Sequence, residues 1–94
     1  MLNQILQEIQ EKVHNQEYVL TLHAEDEMAQ DNLTSFDVEN ALLTGKIVGK
    51  QRDLHRDEWK YVVEGQTYGS EIAVVVTKLT FSRKLVIITV YIKS

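Results

Sequence analysis

The hydrophobic period of this chain changes once, at Gly45, and that change limits the fold more than any single motif. Before Gly45 the apolar residues recur every three to four positions. After it they alternate. Leu2, Ile5, Leu6, Ile9 and Val13 stand at i, i+3, i+4, i+7 and i+11, one face of a 3.6-residue period, and predict an amphipathic helix over 2–14. Glu8 and Lys12 form a favourable i,i+4 pair on its wet side. Helices first and strands after exclude the alternating pattern of a parallel α/β sheet.

Two more helices are expected before the change. Residues 22–31 predict a short one, with Thr21 or a neighbour as its cap. Residues 35–44 predict another. Thr34 is its N-cap, Asp37 lies in the first turn against the helix dipole, and Leu33 with Val38 forms a hydrophobic staple. Gly45 suits the left-handed position that ends many helices. Tyr18–Thr21 reads as a brief strand or an extended lead-in.

Strands are predicted over 46–52, 58–65, 71–80 and 85–92, the last two joined by a tight connection at Ser82-Arg83-Lys84. Short connections imply antiparallel hairpins. The expected architecture is α+β: one domain over 1–94, with N-terminal helices packed on an antiparallel sheet of about four strands. In 85–92 the alternation puts Val86, Ile88, Val90 and Ile92 on one face and Leu85, Ile87, Thr89 and Tyr91 on the other. Both faces are largely apolar. Either both are covered within the domain, which is the expectation, or one meets a partner.

Composition narrows the chemistry. The chain has no cysteine, which excludes disulfides, thiolate metal sites and thiol nucleophiles. Its net charge of −4 hides an asymmetry. Residues 1–45 carry nine acids and one base, and residues 46–94 carry five acids and nine bases. Two surfaces of opposite sign are expected, with any nucleic-acid contact on the strand half. No signal peptide is visible, and the apolar runs fall far short of the ~20 residues that span a bilayer. A cytoplasmic protein without membrane contact is expected.

Three constellations can carry chemistry. His23, Glu27 and Asp31 are spaced i, i+4, i+8, a polar stripe if 22–31 is helical. An imidazole beside a carboxylate is an acid/base pair, three such groups can contribute to a metal site, and acids on a helix also serve as a solvated face. No second ligand cluster supports a metal, so no metal or cofactor is expected. The stretch holding Arg52, Arg56 and Lys60 offers phosphate contacts beside Trp59, Tyr61 and Tyr68, which can stack on bases; it equally fits a soluble edge strand. Thr89 and Tyr91, two apart on a strand, point to one face.

Thr21-Leu22-His23-Ala24, Glu27-Met28, Asp31-Asn32-Leu33-Thr34, the run from Asp37 to Val48, and Leu85-Val86-Ile87-Ile88-Thr89-Val90-Tyr91 together resemble the family called domain of unknown function 4258. The resemblance spans about 18–92. That family is similar to the barnase/EndoU/colicin/RelE-like group of small toxins, and the likeness implies helices on a four-stranded antiparallel sheet in a prokaryotic toxin–antitoxin setting. It implies His23, Thr89 and Tyr91 as site residues. Where many members carry two arginines after the His-Ala pair, this chain carries Glu27 and Asp31, exchanging cations for anions.

The expected function is therefore that of a toxin component acting as a metal-independent endoribonuclease. His23 would be acid or base with Glu27 beside it, Tyr91 and Thr89 would assist, and Arg52, Arg56 and Lys60 would hold RNA. The alternative is a non-catalytic interaction module of the same fold, binding an antitoxin-like partner or a second copy of itself.

Overall fold

The computed structural model describes residues 2–94. Three helices, α1 (Leu2–His14), α2 (Leu22–Gln30) and α3 (Ser35–Thr44), accompany five strands: β1 (Tyr18–Leu20), β2 (Lys46–Asp53), β3 (Glu58–Gln66), β4 (Ile72–Leu79) and β5 (Leu85–Ile92). The strands form one sheet in the order β1-β5-β4-β3-β2. From β2 to β5 every pairing is antiparallel.

The expected four-stranded sheet is thus completed by a fifth strand, which makes it mixed. β1 pairs in parallel with β5, Tyr18 opposite Leu85 and Leu20 opposite Ile87. The brief-strand reading of Tyr18–Thr21 is the one realised. Three residues cannot hold a strand alone, so β1 depends on this distant pairing.

α1 and α3 begin and end where the spacing predicts. α2 stops one residue early, with Asp31 as its C-cap. Thr34 caps α3 through a complete capping box with Asp37, satisfying two helix-end N–H groups. Gly45 departs from expectation. It is extended, at φ −90° and ψ −177°, not left-handed. Glycine is required there for closeness instead, since a Cβ would sit 2.5 Å from the carbonyl oxygens of Ala41 and Glu64.

All three helices feed one core. Ile9 and Val13 of α1, Ala24 and Met28 of α2, and Val38, Ala41 and Leu42 of α3 meet Val63, Val75, Leu85, Ile87 and Val90 of the sheet. Full burial of each large aliphatic side chain stabilises the fold by roughly 1.5–3 kcal/mol. The helices therefore lie on one side of the sheet.

β5 carries a bulge where Val76 faces Thr89 but Thr77 faces Ile87, leaving Ile88 as the extra residue. The inward set is Leu85, Ile87, Val90 and Ile92, in place of the strict alternation read from the sequence. The bulge reverses the phase after Ile87. The expectation of cover on both faces is also corrected, because no element of the described chain packs on the second face.

Candidate functional site

The register fixes what that second face displays. One row across it runs Lys46, Glu64, Val74, Tyr91; the next runs Gly49, Val62, Val76, Thr89; the third runs Gln51, Lys60, Lys78, Val86 and Val19. Its centre is a patch of valines. Val74 is only 3% exposed, yet among the described residues it is the one buried apolar residue outside the helix-side core. Two pairs of charges at the ends of the patch are closed within the sheet, and Lys60 is left without an ion pair among the described residues. Lys78 Nζ lies 3.1 Å from Glu58 and Lys93 Nζ 3.2 Å from Glu64. Thr89 and Tyr91 do share a face, as their spacing predicts, and Lys60 lies on it with them.

His23 and Glu27 stand elsewhere, along the margin where α2 runs beside β5. The residues there are placed by hydrogen bonds that substitute for a missing strand. β1 ends at Leu20, so the outer edge of β5 beyond Ile87 lacks a strand partner. Thr21 supplies the first substitutes: its N–H donates to the Ile87 carbonyl at 3.1 Å and its hydroxyl to the Ile88 carbonyl at 3.1 Å. The same hydroxyl oxygen accepts the Ala24 N–H, capping α2. Glu27 supplies the next. Its carboxylate accepts the Val90 N–H at 3.0 Å.

His23 Nε2 lies 3.4 Å from the same Glu27 oxygen. The imidazole is 66% exposed and the carboxylate 23%. Among the described residues no Lys or Arg makes an ion pair with either group. Asp31, third on the predicted stripe, is exposed at the C-cap. Among the described residues no three His, Asp or Glu side chains gather as a metal-binding group.

The basic residues lie at the far side of the sheet. Arg52 is on β2, Arg56 in the turn after it and Lys60 on β3. Between β5 and β2 stand β4 and β3, so the two margins are ~14 Å apart at strand spacing. Arg52 is bound to Asp57. It also lies over Trp59, 5.8 Å from the ring centroid, and Lys50 Nζ lies 4.3 Å from it. Arg52 sits opposite Trp59, which shares the helix side of the sheet with Tyr61, whereas Lys60 points to the open side. The seven positions marked by sequence and resemblance, His23, Glu27, Arg52, Arg56, Lys60, Thr89 and Tyr91, are thus divided between the open face, the α2–β5 margin and the hairpin end.

Two features escaped sequence reasoning. The Glu27–Val90 bond joins residues 63 apart in sequence and has no local signal. The Lys50–Trp59 contact is a diagonal pair across a hairpin, readable only once the register is known.

Among the described residues no helix is long and apolar enough to cross a membrane. No curated protein and no solved structure matches the chain at a significant level. The sequence profile of a domain of unknown function, number 4258, matches residues 20–92, the span holding α2, α3 and all of β2 to β5. The chain belongs to that family.

Proposed function

We propose that this chain is a non-catalytic interaction module whose working surface is the open face of the sheet, and that the occupant is a second copy of itself. One observation carries this reading: three helices pack on one side only, and the other side presents the half-buried Val62, Val76, Val86 and Ile88 around a buried Val74, with no helix over them. Apolar sheet surface of this kind marks a contact site. Lys78–Glu58 and Lys93–Glu64 close their charges within the face, and Lys46 and Lys60, unpaired among the described residues, lie toward β2, so the valine centre between them suits the same apolar centre of a second copy.

The scale of the contact follows from the sheet. Five strands ~4.8 Å apart and about five residues long at ~3.4 Å each give a footprint of roughly 400 Å². That is the low end for a specific contact, so the dimer is weak and forms at high protein concentration. Light scattering over a concentration series tests it. Wild type should rise toward the dimer mass while Val76→Glu stays monomeric. Wild type that stays monomeric throughout the series overturns the reading.

A second reading has one observation in its favour. His23 and Glu27 are in contact at the β5 margin, next to the strand segment that carries Thr89 and Tyr91. In this reading the chain is a prokaryotic, cytoplasmic toxin that cleaves RNA and is held by an antitoxin-like partner. His23 takes the proton of a ribose 2′-hydroxyl, the 2′-oxygen attacks phosphorus, and Tyr91 protonates the departing 5′-oxygen. The first reading stands ahead of it because, among the described residues, no Lys or Arg makes an ion pair with His23 or Glu27 that could carry a cation to the charge that builds on phosphate. Single-stranded RNA incubated with wild type and with His23→Ala separates the two. Cleavage by wild type alone favours the toxin.

A further inference from the structure

We infer that the end of the molecule bearing the β2–β3 and β4–β5 turns binds single-stranded nucleic acid, with Trp59 as the base-stacking platform. This goes beyond the open sheet face and uses a different surface. Trp59, Tyr61 and Phe81 line a cleft of ≈160 Å³, closed at one side by Ile5 of α1 and Arg83. The volume admits one planar heterocycle. Trp59 is 38% exposed and Phe81 is 80% exposed, a large aromatic left in water on a turn.

Charge decides the kind of partner. Lys50 and Arg52 lie over the Trp59 ring. Lys50 and Arg56 have no carboxylate partner among the described residues. Of the two acids at the cleft, Asp57 is paired with Arg52, and Glu58, only 11% exposed, turns its carboxylate to Lys78 on the open face of the sheet. Asp57 keeps lone pairs that can accept from the amino groups of a base. The chemistry that fits is a flat π-surface attached to phosphates. An exposed aromatic ring in contact with an unpaired lysine, here Lys50 on Trp59, is the arrangement that holds unpaired bases and tracks their backbone. A duplex hides its base faces in the stack and cannot use Trp59.

The chain has one tryptophan, so its fluorescence reports the platform directly. Uniform 12-nucleotide strands of RNA and of DNA are the probes, titrated at low salt, with a fluorescein label for anisotropy. Either strand should quench Trp59 in a saturable way, and both should bind less tightly as salt rises. Trp59→Ala should weaken anisotropy-detected binding about tenfold or more, and Trp59→Phe should retain most of it. Lys50→Ala should bind more weakly and with a shallower salt dependence. Because Trp59 and Lys50 lie at the surface, circular dichroism should show all three variants folded. Quenching by RNA alone or by both strands supports the inference and states which sugar is tolerated. Absence of binding to both, equal affinity of Trp59→Ala and wild type, or a duplex bound as tightly as a single strand overturns it.

Discussion

The Glu27 carboxylate and the Val90 backbone N–H, 63 residues apart, meet at 3.0 Å where the sheet has run out of strands. β1 covers β5 only as far as Ile87. Thr21 and Glu27 then satisfy the backbone groups that a longer β1 would have met. The acid that replaces an expected arginine on α2 is therefore part of the sheet edge.

Removing that acceptor leaves the buried Val90 amide without a partner. Glu27→Ala should cost about 1–3 kcal/mol in chemical denaturation. Glu27→Gln, which keeps a carbonyl oxygen, should cost less. The Val90 amide should exchange with deuterium faster in the alanine variant. Unchanged stability and unchanged exchange there would remove the edge role.

Gly65 sits where α3 rests on β3. A Cβ built there would lie 1.8 Å from the Ala41 carbonyl oxygen, and backbone cannot yield that distance without moving the helix. Gly65→Ala should lose about 3 kcal/mol or more in thermal or urea unfolding. Gly49→Ala is the control. Its methyl would meet Val62 at 3.7 Å, an ordinary contact, and stability should change little.

Acid should loosen the start of α3. The Asp37 carboxylate accepts the Thr34 N–H at 3.0 Å and the Tyr68 N–H at 3.1 Å. The bond from Thr34, with the further bonds from the Tyr68 N–H and the Thr34 hydroxyl, outweighs desolvation and holds this carboxyl below its usual range. A pKa lower in the folded than in the unfolded chain gives stability that is present above about pH 4. It is lost as pH falls through the folded value. Wild type should be more stable than Asp37→Asn near neutrality, and the gap should close on acidification. A gap that stays constant down to the lowest pH would contradict the assignment.

The helices were legible because their signals are local: a 3.6-residue period, and caps such as Thr34 that act within a turn. Hairpin strands were legible through alternation, which also placed Thr89 and Tyr91 on one face. β1 was ambiguous because its three residues gain their order from β5, far along the chain. The bulge at Ile88 left no mark in composition, so alternation assigned Val90 and Ile92 to the wrong side. The candidate residues were legible by type, but not their separation. His23 lies at the margin beyond β5 and Arg52 on the opposite edge strand, and only the strand order reveals that gap.

The open face is most directly tested by cysteine trapping, for which the cysteine-free chain is a clean background. Single cysteines at Val62, Val76 and Ile88 sample the face, and one at exposed Glu25 on α2 serves as control. Under mild oxidation at high concentration, at least one face position should give a covalent dimer much faster than Glu25→Cys. Equal or slower trapping at all three face positions would contradict the account.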